Sequence, residues 1–321
     1  MEAVRERPLF TKYYDSVAQF QPEGPSTYIY AASLEERSAF ADAWLTAQRS
    51  GGVQFVRIVE QRHEDAQFRA RLDDGTEIPV SLRSRGQLSS FVDGLATRRV
   101  YLDITGQDQS TWAGLLRACL AKRIETMVVY TEPMEYSYST APIEGEIFDL
   151  SERIRGLEPL PGFARLHGSS DDFILVPLLG FEGPRFAYLV QQLQPDSDNI
   201  YPIVGLPGFR HEYPFYTYWC NKTTLVSTRA YRQVRYARAN CPFSLFHVAS
   251  DIMHRNAEKP LRIAPIGTKP HAVGAVLFVL ANASSGQLVE LVYDHPIRKA
   301  KRTSGASRVA VYYVSSFLPA T

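Results

Sequence analysis

Cysteine is scarce in this chain, and the familiar catalytic signatures are missing. The three cysteines, Cys119, Cys220 and Cys241, make no CxxC pair and no even set. A disulfide framework and a thiolate metal site are both unsupported, and a reducing cytoplasm is the simplest setting. Cys119 falls on the apolar side of a helical pattern and reads as core. No apolar run reaches the roughly 18–20 residues that a bilayer span requires. The opening MEAVRERPLF lacks a hydrophobic signal region. A cytoplasmic protein without membrane association is therefore expected. An excess of one charge is missing too: 35 Lys and Arg against 34 Asp and Glu leave a formal +1, so bulk attraction to nucleic acid or membrane is absent. Walker, GxGxxG, GxSxG and HExxH motifs do not occur, nor do zinc-ligand spacings. Cys220-Asn221 has no His close by in sequence to activate a thiol.

What the chain does have is alternation. Its 321 residues suffice for two domains of usual size. Residues 1–26, polar and ending in QPEGPS, read as an arm. Residues 27–32 form a strand by β-branched and aromatic content. A helix follows, with Phe40, Ala43, Trp44 and Ala47 at helical spacing, Ser33 as N-cap and Glu35 and Glu36 in its first turn. Gly51-Gly52 ends it, and residues 53–59 make the next strand. A hairpin is expected around Asp74-Gly75 and a short helix over 89–95. Residues 134–162 carry Pro and Gly with little period and read as a connection. The second half repeats the order: a strand over 172–179, a helix with Phe186, Leu189, Val190 and Leu193, and a strand over 199–204. An aromatic stretch follows, then a helix over 243–256 and a last strand within 308–318. Strands alternating with helices predict an α/β fold of two tandem Rossmann-like parallel-sheet domains, over 27–150 and 163–321.

The organising stretch is 261–298, LRIAPIGTKPHAVGAVLFVLANASSGQLVELVYDHPIR. It reads strand, tight loop Gly267-Thr268-Lys269-Pro270, helix, strand. A Gly-Thr-Lys loop at a helix N-terminus is a seat for an anion, because unpaired N–H groups and the helix dipole face it. An ordinary strand-to-helix connection would use the same residues. Residues 99–133, RVYLDITGQDQSTWAGLLRACLAKRIETMVVYTEP, run in the same order, with VVYTEP opposite LVYDHP. The first-strand loops match as well, SLEERSAFADAW against GFEGPRFAYLVQQ. These pairings predict a diverged internal duplication. Ligands in open α/β sheets bind beyond the carboxyl ends of the strands, where all four polar loops would lie.

The two loop types, AASLEERS and LLGFEGPR on one hand, IAPIGTKPHAVGA and DITGQDQST on the other, resemble those of the CRISPR-associated Rossmann-fold (CARF) sensors and the related SAVED domains of bacterial defence systems. The resemblance implies a pocket for a cyclic or linear oligonucleotide. Gly267, Thr268 and Lys269 would form its phosphate-contacting loop and Thr105 and Gly106 a degenerate counterpart. Ser33 and Gly180 match the first-strand loop. The first half departs from the pattern in lacking the Lys. No effector domain is recognisable, so a partner effector protein is implied.

Other residues carry alternatives. Glu35 and Glu182 recur with Arg37 and Arg185, either to hold ribose, base and phosphate or as first-turn charge and local ion pairs. Asp103 and Glu132 at strand ends could hold Mg²⁺ in a nuclease site. His271 and His295 could flank a pocket as general acid or base, or serve as hydrogen-bonded core. Arg298, Lys299, Lys301 and Arg302 form a basic run suited to nucleic acid or to solvent. The expectation is a defence-associated sensor or scaffold for a nucleotide-type ligand, with no cofactor. A metal-dependent nucleotide-processing enzyme is one alternative. A structural subunit with lapsed loops, using the aromatic 213–219 stretch as an interface, is the other.

Overall fold

The computed structural model describes residues 10–33, 35–143, 145–148, 150–164, 172–283 and 288–318. In chain order the first elements are β1 (Thr11–Tyr14), β2 (Ser26–Ala31), α1 (Asp42–Ser50), β3 (Val53–Arg62), β4 (Gln67–Leu72) and β5 (Glu77–Ser81). Then come α2 (Arg85–Asp93), β6 (Arg99–Asp103), α3 (Gln109–Ala121) and β7 (Glu125–Tyr136). After the short strands β8 (Tyr138–Ile143), β9 (Glu146–Phe148) and β10 (Ser151–Ile154) follow β11 (Ile174–Pro177), α4 (Gly183–Leu193), β12 (Ile203–Gly205) and α5 (Tyr213–Ser227). The rest are β13 (Arg235–Ala237), α6 (Pro242–Arg255), β14 (Leu261–Ala264), α7 (Lys269–Ala281), β15 (Val289–Leu291), β16 (Pro296–Arg298), β17 (Thr303–Tyr312) and α8 (Val314–Phe317). The chain divides into two units, Met1–Tyr136 with Thr303–Thr321, and Ser137–Arg302.

In the first unit one eight-stranded sheet runs β1-β17-β7-β6-β2-β3-β4-β5. Its centre, β7-β6-β2-β3, is parallel, with Ile29 of β2 between Val56 and Leu102. STYIYA is buried at every position of β2, as a strand covered on both faces must be. One face holds Phe20, Tyr28, Phe55 and Tyr101 with Phe40 and Trp44 packed on them.

The flanks depart from the all-parallel expectation. β4 and β5 pair antiparallel beside β3, because a four-residue turn joins β3 to β4 and a parallel return needs a crossover of a dozen or more residues. Thr303–Tyr312, expected to close the second domain, instead lies antiparallel between β7 and β1. It covers the free edge of the twelve-residue strand β7. The helix expected from Ser33 begins only at Asp42, with Ala41 as N-cap. Before it, Glu36–Ser38 make a single 3-10 turn and Ala39 is extended. Ser38 Oγ donates to the Glu35 carbonyl at 2.7 Å, the kind of local bond by which serine competes with helix.

The second unit is parallel in its main sheet. β11-β14-β15 pair directly, β12 pairs with β13, and bridges Leu175–Ile200 and Leu178–Ile203 join β11 to the β12 side. The order is thus β13-β12-β11-β14-β15, and α4 to α7 supply the crossovers. Residues 134–162, expected to be a plain connection, hold the end of β7 and strands β8 to β10. α7 is buried almost all round, as its unbroken apolar run requires. In each unit the strand order reverses once beside the first strand: between β2 and β6, and between β11 and β14.

Candidate functional site

At both reversals two backbones touch, and a glycine permits it. A Cβ on Gly106 would stand 1.8 Å from the Ala31 carbonyl oxygen and 3.0 Å from the Ser38 side chain. A Cβ on Gly267 would stand 2.6 Å from the Leu179 carbonyl oxygen. Close approach of main chain is the reason for Gly here. The loop after β6 therefore meets the loop after β2, and the loop after β14 meets the loop after β11.

What fills these meeting points is protein. In the first unit Arg37 is 4% exposed. Its Nη1 donates to the Thr131 carbonyl at 2.6 Å and its Nε to Glu35 Oε2 at 2.8 Å, and Nη2 also bonds Glu35. Thr303 Oγ1 donates to the same carboxylate at 3.1 Å. The Arg37 guanidinium stacks 5.3 Å from the Tyr130 ring centroid. Burial alone would lower the Arg37 pKa, but Tyr130 and Glu35 raise it. Ser33 does not cap α1: its Oγ accepts from Glu35 N at 3.2 Å, ahead of the 3-10 turn, and its own N–H donates to Ser38 Oγ at 2.9 Å.

The second unit repeats the arrangement with different partners. Arg185, 2% exposed, donates from Nε to Asp294 Oδ2 at 2.7 Å and from Nη2 to Oδ1 at 2.6 Å. Its Nη1 reaches Glu182 Oε2 at 3.0 Å and the Ile266 carbonyl at 2.9 Å. Glu182 also accepts from Arg298 Nη1 at 2.8 Å. Burial would raise the Glu182 carboxyl, but Arg298 and Arg185 override it and hold it at about 2. Thr131 and Asp294 hold the same place in the VVYTEP and LVYDHP tails. Both arginines thus cross to the residue after the matching tyrosine, Thr131 after Tyr130 and Asp294 after Tyr293.

The loops after β6 and β14 differ in access. Thr105, Gly106 and Gln107 are buried. Thr105 N–H donates to Asp103 Oδ1 at 2.8 Å, and its Oγ1 accepts from Thr131 N at 3.0 Å. Gly267, Thr268 and Lys269, like Gly180 across from them, are half-exposed. Thr268 is the N-cap of α7: its hydroxyl accepts from His271 N at 3.3 Å and donates to the Ala239 carbonyl at 2.8 Å. The Thr268 hydroxyl is therefore spent inside the fold, and a ligand here would meet backbone N–H groups and Lys269.

The catalytic candidates are held by the fold. Asp103, 2% exposed, accepts from Tyr28 Oη at 3.0 Å. Glu132, also 2% exposed, lies 3.3 Å from Arg308 Nη2. Among the described residues no group of three or more His, Cys, Asp or Glu side chains could hold a metal ion. His271 is fully buried, with Nε2 at 2.9 Å from the Arg238 carbonyl and no partner for Nδ1 among the described residues. Burial drives its pKa down to about 4, against backbone hydrogen bonds at Arg238 and Ala237 that raise it. His295 Nε2 bonds the Glu158 carbonyl at 2.9 Å. The basic run is divided: Arg298 binds Glu182 and Ser151, while the Lys301 and Arg302 carbonyls accept from Ser137.

Two participants gave no sequence signal. Asp294 carries none because its partner lies 109 positions away. Asn221 Nδ2 donates to the Gly180 carbonyl at 2.8 Å and so ties α5 to the first-strand loop. Cys220 beside it is buried, and burial raises its thiol pKa, the opposite of nucleophile activation. Comparison with known proteins finds no matching family model and no matching curated protein. Among the described residues no helix is long and apolar enough to cross a membrane.

Proposed function

We propose that this chain is a binding subunit made of two diverged copies of one Rossmann-like unit, and that the second copy keeps a seat for a phosphate-bearing ligand of nucleotide type. The observation that carries the reading is the difference between the paired loops. Gly267–Lys269 is half-exposed at the start of the thirteen-residue helix α7, at the reversal of a parallel sheet, where α/β folds bind phosphates. Thr105–Gln107 is closed over. The shared strand order, the paired glycines and the paired arginines support common descent of the two units. On this reading the likeness to CARF and SAVED proteins extends to role: the ligand is a cyclic or linear oligonucleotide signal of bacterial defence, passed on to a partner effector protein. No cofactor is needed for that role.

A second reading is favoured by one observation. Arg37 and Arg185 are neutralised by carboxylates of their own unit, so neither is offered to a ligand. That suits a structural subunit with lapsed loops. Thermal-shift measurement with cyclic oligonucleotides, ATP and NAD separates the two, because a ligand of the folded state raises its melting temperature. The sensor reading expects a rise with a nucleotide ligand that is lost in Lys269→Ala. No rise with any of them, in wild type and variant alike, leaves the structural reading.

A further inference from the structure

Residues 213–250 contain no Asp or Glu, yet hold Lys222, Arg229, Arg232, Arg235 and Arg238. In a chain whose formal net charge is only +1 in all, this is a concentrated positive field. The same segment turns aromatic rings outward. Helix α5 buries Tyr213, Thr217, Cys220, Asn221, Thr224 and Leu225. Its opposite side carries Phe215 at 74% exposure, Trp219 at 51% and Val226 at 59%, with Lys222 and Thr223 between them. These positions, i, i+4, i+7, i+8 and i+11, make one continuous stripe. Phe215 and Trp219 stand one turn apart, about 6 Å along the axis.

The neighbouring elements extend the stripe. Tyr231, on the 230–233 turn against α5, is 49% exposed, and Tyr236 of β13 is 50% exposed. The Tyr236 hydroxyl lies 2.7 Å from that of Tyr218 on α5. Cations sit on the rings: Lys222 Nζ is 5.8 Å from the Trp219 centroid and the Arg232 guanidinium 5.8 Å from that of Tyr231. Acidic groups nearby are few. Glu212, before α5, is 3.6 Å from Arg210, and Asp198 lies on the Ser197–Asn199 turn beside residues 230–233.

We infer that this face of the second unit binds single-stranded nucleic acid. Exposed rings take bases by stacking, whatever their identity, while cations among them follow the phosphates. A duplex offers its phosphates but no unpaired base face to stack. An acidic protein segment would satisfy the cations and leave outward rings unused.

The test is fluorescence anisotropy of a labelled twelve-nucleotide deoxythymidine strand titrated with the full chain, alongside the same length of duplex and a decaglutamate peptide. The strand binds more tightly than the duplex and weakens steeply between about 50 and about 200 mM salt. It also quenches tryptophan emission, and Trp219→Ala abolishes that change, since Trp112 is wholly buried and Trp44 packs on the core of the first unit. Phe215→Ala with Trp219→Ala weakens the strand at least ten-fold at an unchanged melting temperature. Arg232→Gln with Arg235→Gln weakens it and flattens the salt dependence. Absence of binding at about 50 mM salt, or binding unaltered in both double variants, overturns the inference. Tighter binding of decaglutamate than of the strand also overturns it and assigns the face to an acidic protein. Lys269→Ala binds the strand as wild type does; an equal loss there would move the strand to the α7 loop and overturn this placement.

Discussion

Arg185 grips Asp294 with two parallel hydrogen bonds, of 2.7 and 2.6 Å, and both side chains are shut away from water. A forked pair of this kind has directional strength, but desolvation of both charges offsets much of it. Removing one partner strands the other. Arg185→Ala should cost about 3–5 kcal/mol of unfolding free energy by chemical denaturation. Arg185→Met with Asp294→Leu should recover most of that loss. A double variant as unstable as the single one would mean the pair contributes more than it costs to bury.

Glu182 titrates abnormally. Its carboxyl is held at about 2 against an ordinary 4.5, because Arg298 and Arg185 outweigh its burial. A depressed carboxyl adds stability above its unfolded value, and that contribution is lost as pH falls through the folded one. Glu182→Gln should therefore be less stable at neutral pH by about 3 kcal/mol. The gap to wild type should narrow between pH 4.5 and about 2. A gap independent of pH in that window would contradict the assignment.

His271 acts at milder acidity. Burial lowers it from 6.5 to about 4. The unfolded chain takes up a proton there before the folded one does, so stability falls as pH drops across that window. His271→Gln should show a flatter dependence of melting temperature on pH over the same range. The expected difference in slope amounts to about 3 kcal/mol across the window. Parallel curves for variant and wild type would refute it.

Gly106→Ala should be severely destabilising, since the new methyl meets the Ala31 carbonyl oxygen at 1.8 Å and main chain must move. Gly86 is the contrast. It lies within α2, and its nearest neighbour to a Cβ is Ser84 Oγ at 3.9 Å. Gly86→Ala should raise stability by roughly 0.5–1 kcal/mol, the helix preference of Ala over Gly. Thermal melts of the two variants should move in opposite directions.

Strands buried on both faces were legible in sequence, within TYIYAA and DFILVPLL above all, because β-branched and aromatic residues crowd there, and the observed strands are Ser26–Ala31 and Ile174–Pro177. The turn at Asp74-Gly75 was equally legible, and Gly75 has a φ of +87°. Gly106 and Gly267 were found by aligning loops, and both sit where main chains touch. The start of α1 was not legible, since hydrophobic spacing runs on from Phe40 while Ser33 and Ser38 divert the preceding backbone into side-chain bonds. The partners of Arg37 and Arg185 were hidden for a different reason. Glu35 beside Arg37 suggested a local pair, but Thr131 and Asp294 are brought in only by sheet order. The α5 stripe read simply as an aromatic stretch. Which of its rings face outward depends on α4 and β12 covering the others.

The placement of β17 makes the first sheet wait. Its strand beside β7 is separated from β7 by all of Ser137–Arg302. During synthesis the edge of β7 therefore stands bare while the whole second unit emerges from the ribosome and folds as its own piece. An uncovered strand of that length is a template for stray pairing, so nascent chains halted before Thr303 should be the species that aggregate and that chaperones must guard.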